Sequence, residues 1–182
     1  LPGGDLAVRE PWRLALAWLD QIGIDWTEDL APVQALLLQP DQKGLFQQQL
    51  KTGLNSIKTS SMGRLFDAVS ALAGIRQTVN YEAQAAIELE SRVDPCEVGF
   101  YEFEIEDDQV DPSPGLRTLV KDIRKGIGTG IIAARFHNGV ADMTLRVCQS
   151  IRKQTSISGV VLSGGVWQNL TLLKTSLTRL RA

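Results

Sequence analysis

The stretch SISGVVLSGGVWQN, residues 156–169, limits the possible folds more than any other part of the chain. Its apolar part, residues 157–162, predicts a buried strand, and the leucine spacing after residue 166 predicts a helix. A strand that enters a helix through glycines can present backbone N–H groups to an anion, because no Cβ blocks the approach. The stretch therefore indicates a phosphate-binding turn or a tight β–α turn without a ligand, and its spacing does not decide between them.

The composition is that of an ordinary globular chain. Of its 182 residues, 43% are hydrophobic and 22% are charged, and the formal net charge is −2. This balance, with Lys and Arg scattered along the chain, argues against nucleic acid as a partner. No apolar run approaches the roughly 20 residues that cross a bilayer, and the first ten residues lack the order of a signal peptide. We therefore expect a cytoplasmic protein without a membrane partner.

Cysteine and histidine are too few to form a local metal cluster. The chain has Cys96, Cys148 and a single histidine, His137, all far apart, and no CxxC pair is present. We expect both thiols to be reduced and buried. The chain begins with Leu1 instead of methionine, and we expect it to be a piece of a longer protein.

Helical periodicity dominates the chain before residue 96. A first helix starts at Asp5 or Pro11, and further helices are predicted over the residue ranges 33–38, 41–50, 62–75 and 81–91. In the helix over 62–75 the apolar side chains share one face, which places Asp67 on the opposite, polar face. This part of the chain is therefore predicted to be helical throughout.

The pattern changes after residue 96. Alternating apolar residues over 98–106 predict a strand, and Asp107 and Asp108 begin the turn that follows it. Helices are predicted over 116–124 and 129–154, before the strand over 157–162. The whole chain is therefore predicted to be helix-rich α/β, with a helical part over 1–95 and an α/β part over 96–182.

Four blocks carry a resemblance to a known family. They are TSSMGRLFDAVSALAG at 59–74, YEAQAAIELE at 81–90, RFHNGVAD at 135–142 and VVLSGGVWQN at 160–169. Together they resemble the hydrogenase-maturation carbamoyltransferases of the HypF type. The resemblance implies an incomplete part of their last module, which is similar to the universal threonylcarbamoyl-transfer proteins and has the actin-like, Hsp70-like (ASKHA) two-lobed fold.

The resemblance also implies a reaction for the full-length protein. In this family carbamoyl phosphate and ATP yield carbamoyl adenylate, whose carbamoyl group passes to the C-terminal cysteine of a HypE-type maturation protein. The product serves the synthesis of the cyanide ligands of NiFe hydrogenase. The family's divalent metal, zinc or iron, would be held by ligands outside this chain, so we expect no metal ligand within it and no activity of this piece alone.

The same resemblance assigns nucleotide-binding roles, for ATP or carbamoyl adenylate, to residues of two blocks. Asp67 and Glu82 would accept hydrogen bonds from the ribose hydroxyls, and Gly63 would leave room for the adenosine. The turn would face the phosphate and the asparagine after it would contact the adenine; these residues are Ser163, Gly164, Gly165 and Asn169. No residue of this chain is predicted to be catalytic.

Simpler interpretations stand beside these roles. Asp67 could form a surface ion pair with Arg64 one helical turn away, which stabilises a helix by only a few tenths of a kcal/mol. His137 could be a hydrogen-bonded core histidine. Two other functions also remain open: a noncatalytic nucleotide-binding or partner-binding module, and a homologue of the tRNA threonylcarbamoyl-transferases. The acidic balance and the block around Asp67 favour the hydrogenase branch.

Overall fold

The computed structural model describes residues 1–106 and 109–181, in two compact units that divide after Ser91. The first unit contains six helices: α1 Asp5–Arg9, α2 Pro11–Gln21, α3 Ala31–Leu37, α4 Pro40–Thr52, α5 Met62–Leu72 and α6 Gln84–Glu90. The described part of the second unit contains strands β1 Glu104–Glu106 and β2 Gln109–Asp111, helices α7 Ser113–Arg124, α8 Thr129–Thr155 and α9 Leu170–Arg181, and a 3-10 helix Gly165–Gln168.

Helix α5 lies at the centre of the first unit. It begins at Ser61, whose hydroxyl oxygen accepts a hydrogen bond from the Arg64 backbone N–H at 3.4 Å, as expected for an N-cap serine. Apolar side chains of α2 and α5 form much of the core between them; the larger buried ones are Trp12, Leu16, Leu19, Phe66, Val69 and Leu72. The predicted helix starts at Asp5 and Pro11 are both present, because the chain breaks into two helices at Glu10.

The prediction of a polar face on α5 was wrong. Asp67, Ser70 and Ala71 are all buried, with 3%, 0% and 0% of their surfaces exposed. Helices α2, α3 and α6 all contact α5 and cover it on more than one side. The helix also ends at Leu72, three residues earlier than predicted, and Gly74 follows with a φ of 74°.

Helix α6 is shorter than its sequence pattern predicts. It begins at Gln84 instead of residue 81, because Ala83 before it adopts the left-handed backbone conformation with a φ of 61°. Tyr81 and Ile87 are exposed, and the buried residues of the helix are Gln84, Ala85 and Leu89. Non-glycine residues rarely occupy this backbone region.

The second unit is built around the long helix α8. The predicted strand over 98–106 contributes only Glu104–Glu106, which pairs antiparallel with β2 so that Ile105 faces Val110. Residues 97–103 instead run along α8; the Tyr101 backbone N–H donates to the Arg135 carbonyl at 3.1 Å. The backbone there is held by a helix instead of a neighbouring strand. The turn predicted at Asp107 and Asp108 lies outside the described residues.

The predicted strand over 157–162 is also absent from the structure. The segment has no regular secondary structure, and Val161 is 90% exposed. A strand needs hydrogen bonds from a neighbouring strand, and β1 pairs only with β2 in the described part of the chain. After the segment, α9 begins at Leu170, and Leu172 and Ser176 are its buried residues while Leu170 is 58% exposed.

The two cysteines are more exposed than expected. Cys96 is exposed and Cys148 is half-buried, so the prediction that both thiols are buried was wrong, because Cys96 lies in an irregular segment before α7. Within residues 1–106 and 109–181, no helix combines the length and the apolar character that crossing a membrane requires.

Candidate functional site

Asp67 forms a buried ion pair on α5. Its Oδ2 atom lies 2.9 Å from Nη1 of Arg64, and its side chain is only 4% exposed. The predicted pairing is therefore confirmed, but Asp67 is buried and not on the surface, while the Arg64 side chain is 18% exposed. Burial raises the pKa of the Asp67 carboxyl to about 6, and the charge of Arg64 opposes this rise. Desolvation, which disfavours the charged form, is thus the larger effect.

The Arg64–Asp67 pair leaves hydrogen-bonding capacity unused. Although the two charges are close, Nη1 of Arg64 is a buried donor without a hydrogen-bond acceptor among the described residues. The described chain also donates no hydrogen bond to the Asp67 carboxylate. A donor and an acceptor side by side form a polar site that a hydroxyl group can complete, since a hydroxyl both donates and accepts.

Gly63 and Glu82 lie in the same unit as Asp67. Gly63 is the second residue of α5, and a Cβ added there would meet only Ser61 Oγ, at an ordinary 3.7 Å. The protein around it therefore does not require a glycine. Glu82 is exposed, in the turn before α6 and not within the helix.

The turn Ser163–Gly165 is exposed in the second unit. Gly164 has a φ of 96°, in the left-handed region, and a Cβ on either glycine would have no neighbour within 4 Å. The sequence predicts that this turn leads directly into a long helix, but it does not. A four-residue 3-10 helix comes first, and α9 starts five residues after Gly165. The argument from a helix N-terminus therefore does not hold at the glycines.

Asn169 begins α9 and contacts α8 with the same side chain. Its Oδ1 atom accepts a hydrogen bond from the Leu172 backbone N–H at 2.8 Å, which makes it the N-cap of α9. Its Nδ2 atom lies 2.9 Å from Nε2 of His137. The contact with His137, 32 residues earlier, was not predicted, although both residues lie in blocks that carry the family resemblance.

His137 is fully buried on α8, as the core interpretation predicts. Its Nδ1 atom lies 2.7 Å from the carbonyl oxygen of Ala133. A carbonyl oxygen only accepts hydrogen bonds, so Nδ1 carries the proton. In the neutral ring Nε2 is then an acceptor, which suits the amide N–H of Asn169.

The rest of the block over 135–142 holds the second unit together. Arg135 forms ion pairs with Asp122 at 2.8 Å and with Glu97 at 3.4 Å. Asn138 donates to the carbonyl oxygens of residues 97 and 99, at 3.1 and 3.0 Å. A Cβ on Gly139 would lie 2.3 Å from the Tyr101 carbonyl oxygen, so only glycine allows the backbones to come this close. The sequence signal for these roles was the polar residues within the largely apolar first half of α8.

The predicted nucleotide-binding residues fall into two groups. One group lies in the first unit, around Asp67, and the other in the second unit, at the turn and Asn169.

A separate surface pocket of about 600 Å³ is formed at the end of α2 and on α4, lined among others by Asp25, Trp26 and Lys51. It contains none of the predicted residues.

Comparison with known proteins gives the family. The family described as the Kae1-like domain of carbamoyltransferases, second subdomain, matches residues 1–182. The carbamoyltransferase HypF of Synechocystis sp. is 31% identical over 197 residues, which cover 100% of this chain and 25% of that protein. HypF of Rhizobium leguminosarum bv. viciae is 36% identical over 181 residues, which cover 94% of this chain and 22% of that protein. The chain thus spans about a quarter of the length of these relatives.

Solved structures agree with this result. A crystal structure of full-length HypF in the phosphate- and nucleotide-bound form superposes with a TM-score of 0.87 at 38% identity, over 100% of this chain and 28% of that chain. T. kodakarensis HypF shares the fold, with a TM-score of 0.81 at 24% identity.

These findings define part of a Kae1-like carbamoyltransferase domain, and they confirm the predicted helix-rich fold of the actin-like, Hsp70-like class. The chain belongs to the HypF family of carbamoyltransferases.

Proposed function

We propose that this chain is the part of a HypF-type carbamoyltransferase that holds the nucleotide portion of carbamoyl adenylate. In the full-length protein, carbamoyl phosphate and ATP would supply this intermediate. The carbamoyl group would then pass to the C-terminal cysteine of a HypE-type protein during hydrogenase maturation. The match of the whole chain to the family carries this proposal, and the unsatisfied polar pair on α5 supports it.

The ribose is the proposed ligand of the Arg64–Asp67 pair. One ribose hydroxyl could donate to the carboxylate of Asp67 and accept from Nη1 of Arg64, the buried donor without a hydrogen-bond acceptor in the described chain. An ionised carboxylate in a poorly solvated place lowers stability, and a ligand that supplies donors would offset this cost. Gly63, one turn of helix before Asp67, would leave space for the adenosine, and Glu82 would share the ribose hydroxyls.

The phosphate and adenine would be bound in the second unit. The turn Ser163–Gly165 is exposed and bare of side chains at its two glycines, so its backbone is open to an anion. Among the described residues, Asn169 has two contacts, which leave one amide hydrogen and one oxygen lone pair for a ligand. Adenine offers a matching acceptor and donor at N7 and the 6-amino group.

Binding and orientation are the contributions that we propose for these residues. In the transfer itself, the thiolate sulfur of the partner forms a bond to the carbamoyl carbon, the carbon–oxygen bond to the phosphate breaks, and AMP leaves with the electron pair. Holding the mixed anhydride in one place lowers the barrier of this step by removing translational and rotational freedom beforehand. None of the proposed binding residues acts as a nucleophile.

The described residues do not fit a metal site. No group of three or more His, Cys, Asp or Glu side chains within 1–106 and 109–181 could hold a metal ion. The zinc or iron of the full-length protein would therefore need ligands from other parts of that protein.

Substitution of Asp67 in the full-length protein tests the proposal. Asp67→Asn keeps the shape of the side chain but removes its charge, and we expect weaker ATP binding and at least about a tenfold loss of carbamoyl transfer, equivalent to about 1.4 kcal/mol. Asp20→Asn, at an exposed position on α2, is the control and should leave both unchanged. Unchanged transfer in Asp67→Asn would refute the role of Asp67, while ATP binding without any carbamoyl transfer by the wild type would favour a noncatalytic nucleotide-binding module.

A further inference from the structure

We propose that His137 is a positioning residue that fixes the Asn169 amide for the recognition of adenine. The inference rests on the proposed function, because the contact between Asn169 and adenine belongs to it. His137 itself would not touch the nucleotide. Its part is to hold one end of the amide, while the backbone of α9 holds the other.

The hydrogen bond of His137 to its own helix determines how it meets Asn169. Because Nδ1 donates to the Ala133 carbonyl oxygen at 2.7 Å, the lone pair of the neutral ring lies on Nε2. That lone pair accepts from Nδ2 of Asn169 at 2.9 Å. The ring is 0% exposed, so water does not compete for this contact.

Two contacts together prevent the Asn169 amide from rotating by 180°. A rotated amide would bring its NH₂ group against the Leu172 backbone N–H, which now donates to Oδ1 at 2.8 Å. It would also bring Oδ1 against the lone pair of His137 Nε2. Donor would face donor and acceptor would face acceptor, so the structure selects a single orientation of the amide.

The fixed orientation leaves a defined pair of groups for a ligand. Within the described residues, Asn169 has one amide hydrogen and one Oδ1 lone pair without a protein partner. An asparagine recognises adenine by donating to N7 and accepting from the 6-amino group. Hypoxanthine has a carbonyl oxygen in place of that amino group, so its acceptor would face the Oδ1 acceptor. A site with this orientation should therefore prefer ATP to ITP.

The ratio of ATP to ITP affinity measures the proposed role directly. We expect the full-length wild-type protein to bind ATP about tenfold or more tightly than ITP, as measured by calorimetry. His137→Leu should reduce this preference at least about threefold, because only the Leu172 backbone N–H then opposes rotation of the amide. His137→Gln should keep the preference, since a glutamine amide can donate to Ala133 and accept from Asn169.

The buried position of His137 requires a control for folding. The unfolding temperature of each variant is measured alongside, and His137→Asn serves as a second loss variant if the leucine variant does not fold. Asparagine keeps a polar amide in place but is too short to reach both Ala133 and Asn169, so it should behave like leucine. A folded variant of either kind that keeps the wild-type ATP to ITP ratio overturns the inference, as does a wild type without the preference.

A separate variant distinguishes this inference from the proposed function. Asn169→Ala should weaken ATP binding and remove the preference over ITP. If it does, but the folded His137 loss variants keep the wild-type ratio, the positioning role is refuted and the adenine contact stands. If Asn169→Ala leaves ATP affinity unchanged, the adenine contact itself is wrong, and the positioning role falls with it.

Discussion

Asp67 and Arg64 lie 2.9 Å apart on successive turns of α5, yet the carboxyl of Asp67 is easier to protonate than in water. Burial outweighs the attraction of the arginine, because the pair receives too few hydrogen bonds from the protein to replace its hydration. The ionised pair therefore lowers the stability of the folded protein. A ligand hydroxyl would restore the missing hydrogen bonds.

The stability of the first unit should depend on pH through Asp67. The folded state raises its pKa from 3.8 to about 6, so its stabilising contribution is fully present below pH 3.8 and is lost as pH rises through about 6. The ionised form then costs about 3 kcal/mol, from about 1.4 kcal/mol per pKa unit. Asp67→Asn should accordingly be more stable than the wild type at pH 7.5, on the order of 2 kcal/mol.

Hydrogen exchange of α5 at pH 5 and pH 7.5 checks this dependence. The difference in the free energy of unfolding between Asp67→Asn and the wild type should grow as the pH rises. Asp20→Asn should have the stability of the wild type at both pH values. An equal difference at the two pH values would contradict the raised pKa.

Ala83 should be replaceable by glycine with a gain in stability. Its φ of 61° places it in the left-handed region, which costs a residue with a Cβ roughly 1 kcal/mol more than glycine. Ala83→Gly should therefore slow local unfolding of α6, as followed by hydrogen exchange. Ala86→Gly, within α6 itself, should have the opposite effect, by about 1 kcal/mol. Destabilisation by both substitutions would contradict the assigned conformation of Ala83.

Gly63→Ala should separate stability from ligand binding. A Cβ at this position meets only an ordinary contact, so the alanine should stabilise α5 by up to about 1 kcal/mol through helix propensity. If adenosine approaches here, the same change should weaken ATP binding in calorimetry. Gly44→Ala on α4, where a Cβ has no neighbour within 4 Å, should leave ATP affinity unchanged. Wild-type ATP affinity in Gly63→Ala would remove this residue from the site.

Gly139→Ala should destabilise the second unit. The added Cβ would lie 2.3 Å from the Tyr101 carbonyl oxygen, so α8 and the segment over 97–103 would have to separate, at a cost of about 1–3 kcal/mol or more. Gly159→Ala, in an exposed segment with no neighbour within 4 Å, is the matched control. A thermal unfolding temperature that stays at the wild-type value in Gly139→Ala would contradict the close packing.

Helices were predictable from this sequence because their periodicity is local. The pattern over 129–154 predicts α8 to within one residue of its observed end at Thr155, since a long helix needs only its own residues to satisfy its backbone. The strand predicted over 157–162 failed for the opposite reason. Its apolar residues favour a strand within a sheet, but a strand forms only where another strand supplies hydrogen bonds.

The polar residues were the hardest to place from sequence. The ion pair of Asp67 with Arg64 follows from their spacing, but its burial depends on three other helices that contact α5. The contact between His137 and Asn169 joins α8 to the start of α9 across 32 residues. No local pattern encodes such a distance, and only the family resemblance drew attention to both residues.

Asn169 both starts α9 and contacts His137, and this double use constrains how the protein can evolve. If Asn169 contacts the adenine as proposed, a substitution there that changes the preferred base must also keep a side-chain oxygen for the first turn of α9. Few residues supply such an oxygen, chiefly Asp, Ser and Thr. Any other replacement would leave α9 without its N-cap, so a change of nucleotide preference at this position would be coupled to the stability of the helix.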